Sequence, residues 1–142
     1  MEKYVLIDSG YWFGLYDKLD SYHNSANDIA DKIENYKIIV PYPSMYEVLN
    51  SKFIKNKQRL SQFEETMKSD KIEFIFDEDY REDAINNTYS IHRKVTPQIS
   101  LVDSIIREML KDVNIKIDFL VTFNEKDFKD VCDIRKIKII TE

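Results

Sequence analysis

Apolar residues follow two rhythms along this chain. Tyr4–Ile7 is a short unbroken run, and short, mostly apolar segments follow at Lys37–Val40, Ile72–Phe76, Phe119–Val121 and Ile137–Ile140. Runs of this length without alternation suit strands covered on both faces. Between them, apolar residues recur every three or four positions, the period of a helix with one buried face. Ser25–Tyr36 places Ala26, Ile29, Ala30, Ile33 and Tyr36 in such a stripe. Ser44–Asn56 places Met45, Tyr46, Leu49 and Phe53 on one side. Leu60, Phe63 and Met67 mark another helix. From Asp79 to about His92, Ala84, Ile85, Tyr89 and His92 face inward. Leu101, Val102, Ile105, Ile106, Met109 and Leu110 form a wide stripe on the helix that follows Ser100. Strands alternating with helices call for parallel pairing and right-handed crossovers. The expected fold is α/β, a central, mostly parallel sheet of about five strands between helices.

The polar residues that interrupt this pattern are as informative. Tyr4–Ile7 ends in Asp8, Ser9 and Gly10, and the latter two are turn formers. Asp8 has two readings. It caps the next helix, or it stands in the crevice beyond the strand ends, where ligands of open α/β sheets bind. Tyr11–Leu19, with Trp12, Phe13 and Tyr16, is a short helix or turn whose rings pack in the core. Pro41 and Pro43 close the second strand. Ser44 and Glu47 have the spacing of a capping box, a structural role for Glu47. Ser100 and Asp103 nearly share that spacing, and Asp103 lies where the helix dipole favours an anion. Arg93–Gln98, with Pro97, reads as a loop. His23 falls in a polar loop, and His92 reads as a core-edge histidine.

Composition narrows the class. The chain has 142 residues, 43% of them apolar and 13% aromatic, enough for one domain over residues 1–142 with a real core. Gly 2 and Pro 3 leave no flexible linker. No apolar run is long enough to span a bilayer, and the first run is too short for a signal-peptide core. Cys132 is the single cysteine and cannot form an internal disulfide, which suits a reducing cytoplasm; it reads as a buried, inert thiol. Two histidines without cysteine partners make no zinc site. A net charge of −5 argues against a protein that coats duplex DNA through a broad positive field. It is compatible with a nuclease whose acids hold metal ions.

The acids and amides then form a set. Asp8, Asn124 and Asp127 follow strand ends, and Glu47 and Asp103 lie in first turns of helices. In a doubly wound sheet these positions share one edge. Capping accounts for each residue alone but not for all five converging. Carboxylates gathered closely repel one another unless protonated or bridged by a cation. Their hard oxygens suit Mg²⁺ or Mn²⁺.

Four segments, YVLIDSG, SMYEVLN, ISLVDSIIREML and LVTFNEKDF, resemble a PIN-domain ribonuclease, nearest to the VapC-type toxins of toxin–antitoxin pairs. The likeness runs in order over essentially the whole chain. It is strongest at the opening strand with its Asp and at the closing Thr-x-Asn-x-x-Asp-Phe, and weakest at Glu47. The resemblance implies a three-layer α/β/α fold. It implies metal-dependent hydrolysis of phosphodiesters in single-stranded or structured RNA, leaving a 5′-phosphate and a 3′-hydroxyl. It maps the family's first three acids onto Asp8, Glu47 and Asp103. Many members carry a fourth Asp where this chain has Asn124, with Asp127 three residues on. Asp8, Asp103, Glu47 and Asp127 are therefore the expected ligands of Mg²⁺ or Mn²⁺, and Asn124 completes the catalytic set. Ser9 and Thr122 are expected to orient carboxylates from behind. An antitoxin protein and a homodimer, with contacts near Trp12 or on the Leu60 helix, are the implied partners. Lys52, Lys55 and Arg93 are candidates to track the RNA backbone, although a solvated face explains each of them as well.

Other classes fit less well. A haloacid-dehalogenase-like phosphatase needs Asp-x-Asp after the first strand, and Asp8 is followed by Ser9 and Gly10. Neither a P-loop nor G-x-G-x-x-G is present. A receiver domain wants paired acids after its first strand and a Lys after its last. Asn124 keeps open a non-enzymatic alternative, a catalytically degenerate PIN-like module that binds RNA or scaffolds.

Overall fold

Five strands form one sheet, and the alternation of their side chains builds a separate core on each face. The structure, a computed structural model, describes residues 1–94 and 99–142, without the side chains of 91–94. The expectations for His92, Arg93 and the Pro97 loop fall outside the described residues and side chains. The strands are β1 (Tyr4–Ile7), β2 (Lys37–Pro41), β3 (Ile72–Ile75), β4 (Phe119–Val121) and β5 (Lys138–Ile140). The helices are α1 (Ser9–Tyr16), α2 (His23–Lys32), α3 (Pro43–Leu49), α4 (Lys57–Met67), α5 (Arg81–Lys94), α6 (Leu101–Lys111) and α7 (Lys129–Arg135). All four strand pairs are parallel, in the order β3-β2-β1-β4-β5.

β1 is the middle strand, and Val5, Leu6 and Ile7 are wholly buried, as an unbroken apolar run requires. Val5, Ile7, Ile38, Val40 and Val121 face a core filled by Trp12, Ile29, Val48, Phe63 and Met67. Leu6, Ile39 and Leu120 face the other way, onto Ile106, Leu110, Phe128, Val131 and Cys132. The two faces make a three-layer α/β/α arrangement, with α5 packed outside α6 through Ala84, Ile105 and Met109. Trp12 stacks on Tyr16 and meets Phe63 edge-on, so these aromatics pack the core as expected. Cys132 is fully buried, and burial pushes its thiol up to about 11, which suits an inert group. Among the described residues no helix is long and apolar enough to cross a membrane.

Several local expectations are corrected. The helix expected over Ser44–Asn56 is two pieces, α3 and a 3-10 turn at Lys52–Lys55. The Ser51 hydroxyl donates to the Val48 carbonyl at 2.7 Å and accepts from Phe53 N at 3.1 Å. A serine side chain that competes for backbone groups in this way ends a helix. Within α3, Val48 points to the core, while Tyr46 and Leu49 are exposed. Its first turn is set by Pro43, and Tyr42 provides no side-chain cap. The Ser44–Glu47 capping box therefore does not form, and the buried Ser44 hydroxyl has no partner among the described residues. α2 starts at His23, whose Nδ1 lies 2.7 Å from the Gly14 carbonyl, so this histidine is not in a loop. Tyr89 and Leu101 are 58% and 42% exposed rather than inward.

Candidate active site

The order β3-β2-β1-β4-β5 turns back at β1, since the chain moves outward through β2 and β3 and then returns to place β4 on the other side of β1. A crevice opens at such a switch point, beyond the carboxyl ends of the two strands. Ile7 is paired with Val121, so the residues after them, Asp8 and Thr122, stand side by side at its floor. Asp8 N donates to the Val121 carbonyl at 3.0 Å, which extends the sheet by one rung.

Asp8 caps α1 and also stands at the floor of the crevice. One carboxylate oxygen accepts from Ser9 N at 2.8 Å and caps α1. The other accepts from the Thr122 hydroxyl at 3.0 Å. That hydroxyl also accepts from Asn124 N at 3.0 Å, so its proton is directed toward Asp8. Thr122 is fully buried, and Asp8 and Asp127 are each 8% exposed. Burial raises the Asp8 pKa; the Ser9 and Thr122 hydrogen bonds oppose this, and the Asp127 charge adds to it.

Asp103 is fixed in the first turn of α6, where its backbone N–H donates to the Ser100 hydroxyl at 3.1 Å. Its carboxyl is pushed up to about 7, first by burial and then by the charges of Asp8, Asp127 and Glu47. Glu47 projects from α3. The residue is exposed overall, yet protein crowds its carboxyl enough for burial to raise its pKa, and Asp8 raises it further. The Ser9 hydroxyl beside it acts in the opposite direction. Ser9 thus meets two acids, one through its backbone and one through its side chain.

Asn124 does not take the place of a free carboxylate. Its side-chain amide donates to the Asp127 side chain, and its main-chain carbonyl accepts from Asp127 N at 3.2 Å. Asp127 is held against α6 by Arg107, a residue that sequence reasoning passed over. The Arg107 guanidinium donates to the Asp127 main-chain carbonyl at 2.7 Å and grips Asp130 with two bonds of 2.7 and 2.8 Å. The available signal was its position one turn after Asp103 on the same helix face. Lys52 and Lys55 are exposed on the turn after α3, in keeping with a solvated face.

Asp103 therefore feels the charges of Asp8, Asp127 and Glu47 at one rim, and Asn124 is bonded to Asp127. Among the described residues no three of His, Cys, Asp and Glu converge closely enough to form a ready-made metal cage. The donor set still fits a hard divalent cation. Mg²⁺ is typically held by one or two carboxylates with retained waters, and mutual repulsion among buried acids is what such a charge relieves.

Comparison with known proteins bears on the fold. No family model matches the sequence, and no curated protein matches it. Two solved structures are similar over nearly the whole chain. One is the Mycobacterium tuberculosis toxin VapC20, described as cleaving the sarcin-ricin loop, at 13% identity and a TM-score of 0.68, with 89% of this chain and 94% of that chain covered. The other is VapBC2 from Rickettsia felis bound to a DNA fragment from its promoter, at 17% identity and a TM-score of 0.61, with 96% of each chain covered. The chain therefore has the PIN-like α/β/α fold that its motifs suggest.

Proposed function

We propose that this protein is a divalent-metal-dependent endoribonuclease that hydrolyses phosphodiester bonds of single-stranded RNA and acts as the toxin of a toxin–antitoxin pair. The observation that carries this reading is the placement of Asp8 beside Thr122 at the switch point of the sheet, with Asp103 in the first turn of α6 close enough for the charges of Asp8, Asp127 and Glu47 to raise its pKa. Groups so perturbed in a cleft are candidates for chemistry. The fold shared with VapC20 and VapBC2 supports the toxin assignment and an antitoxin partner.

Asp8 and Asp103 would hold Mg²⁺ or Mn²⁺, with Glu47 and Asp127 at its margin. When bound, the ion supplies charge neutralisation at the phosphate and acidifies an attacking water. The chain's own groups do the rest. Thr122 and the Ser9 N–H keep the Asp8 carboxylate aimed into the crevice. The Asn124 amide orients Asp127, and Arg107 fixes the loop that carries it. Hydrolysis adds water across the P–O3′ bond and leaves a 5′-phosphate and a 3′-hydroxyl.

Cleavage of defined RNAs with Mg²⁺ or Mn²⁺ tests the reading. Asp8→Asn and Asp103→Asn should each abolish cleavage while leaving circular dichroism unchanged. Cleavage that survives chelation, or persists in both variants, refutes it. Expression should arrest growth, and a protein encoded by the adjacent gene should relieve the arrest; harmless expression of an active enzyme would instead assign RNA processing. The bonding of Asn124 to Asp127 favours one second reading, a degenerate PIN-like module that binds RNA without cutting it. Such a module would show no saturable Mn²⁺ binding that Asp8→Asn removes.

A further inference from the structure

The edge that carries the acids also carries aromatic rings on both sides of them. Phe123 directly follows Thr122, and its ring lies against Gly10, where a Cβ would sit 3.5 Å from Phe123 Cδ2. Tyr22, at the start of α2, stacks on it with centroids 4.3 Å apart and planes 6° from parallel. Phe123 covers one side of the Tyr22 ring, and Tyr22 remains 47% exposed. Across the acids, Pro41 pairs with Ile75, and the residues after these strand ends are Tyr42 and Phe76. Their rings are 4.9 Å apart. Tyr46, on α3 beside Glu47, meets Tyr42 edge-on at 5.8 Å. Phe76 and Tyr46 are 57% and 61% exposed. Scattered exposed apolar residues need no explanation, but two paired sets flanking one acidic crevice do.

Two arginines at this edge are already engaged by acids. Arg107 is bonded to Asp130 and Asp127, and Arg81 pairs with Asp77 at 3.1 Å. The chain as a whole carries −5, and its crevice is acidic. A polyanion approaching this edge gains little from Coulomb attraction, whereas every nucleobase has a face that stacks on an aromatic ring.

We infer that Tyr22–Phe123 and Tyr42–Tyr46–Phe76 are stacking platforms that hold unpaired bases of an RNA on either side of the scissile phosphate. This rests on the reading of the acidic crevice as a site that cleaves single-stranded RNA and adds to it the side chains that hold the unpaired bases. A duplex, whose bases already stack on one another, cannot use the platforms.

The test is fluorescence anisotropy of a short labelled single-stranded RNA with the wild-type protein in chelating buffer. Tyr22→Ala and Phe76→Ala, both at exposed rings, should each weaken binding by about 5- to 150-fold. Tyr22→Phe should restore it. The same strand made abasic, and the same sequence as a duplex, should bind as weakly as the alanine variants. Affinity should depend on salt with a logarithmic slope below about 1.5, fewer than the phosphate contacts that a cationic groove would make. With Mn²⁺ and a cleavable strand, the alanine variants should raise KM and change kcat by less than about twofold. Absence of binding, alanine variants that bind as wild type, an abasic strand that binds as tightly, or a steep salt slope would overturn the inference. Binding through the rings without any cleavage would leave the platforms standing and remove the nuclease. Cleavage with KM unchanged in both alanine variants would do the reverse.

Discussion

Burial and three neighbouring acids push the Asp103 carboxyl from the ordinary value of 3.8 up to about 7, so near neutrality it is partly protonated where an ordinary carboxyl group is fully ionised. The unfolded chain therefore binds fewer protons than the native one between these values. By linkage, this residue's contribution to stability is fully present below about pH 4, falls as pH rises toward 7, and is flat above. Without metal, Asp103→Asn should be more stable than wild type above pH 7, by a few degrees in Tm, and the two should converge toward pH 4. Thermal melts of both proteins across that range check this; Asp112 and Asp130, whose pKa values are lowered, cancel in the comparison. Thr122→Val keeps the shape of the side chain and removes the donor to Asp8. It should cost about 1–3 kcal/mol in urea denaturation, because a buried carboxylate oxygen loses its partner.

At the scale of elements, the weak joint is the segment after β4. A short 3-10 turn, Glu125–Asp127, brings Asp127 under α6, and Arg107 ties the two together. Arg107→Met should cost about 1–3 kcal/mol in urea denaturation. It should also weaken Mn²⁺ binding by about 10- to 100-fold in calorimetry, as loss of a group that positions ligands does. Asp130→Asn should cost less, because the Asp130 side chain is 62% exposed and water replaces much of the pair.

For the molecule as a whole, folding gathers Asp8, Glu47, Asp103 and Asp127 from four separate parts of the chain. On the proposed function, native acids that repel one another would bind a divalent cation more tightly than the unfolded chain can. Saturating Mn²⁺ should therefore raise the wild-type Tm at pH 7.5 to 8 by several degrees, as mass action requires. Excess chelator should reverse the shift, and Asp8→Asn should abolish it. The shift should shrink as pH falls below 7, because the ion must then displace the Asp103 proton.

Strand and helix order, the parallel sheet and the acids at its edge were legible in the sequence, because each is written locally. Tyr4–Ile7 is apolar throughout since both of its faces are covered, and a strand end followed by Asp8 lies at the ligand edge of any such sheet. The capping pair of Ser100 with Asp103 was legible for the same reason. The Ser44–Glu47 pair was not, because Pro43 and Ser51 together reset where α3 starts and stops, and side-chain competition for backbone groups outweighs spacing. Only the tertiary structure decided that Asn124 bonds to Asp127, that Arg107 holds the same loop, and that Tyr22 lies on Phe123. Two of those contacts join residues about 20 or 100 positions apart, and the energies that select them depend on burial and charge fields that exist only once the layers have packed.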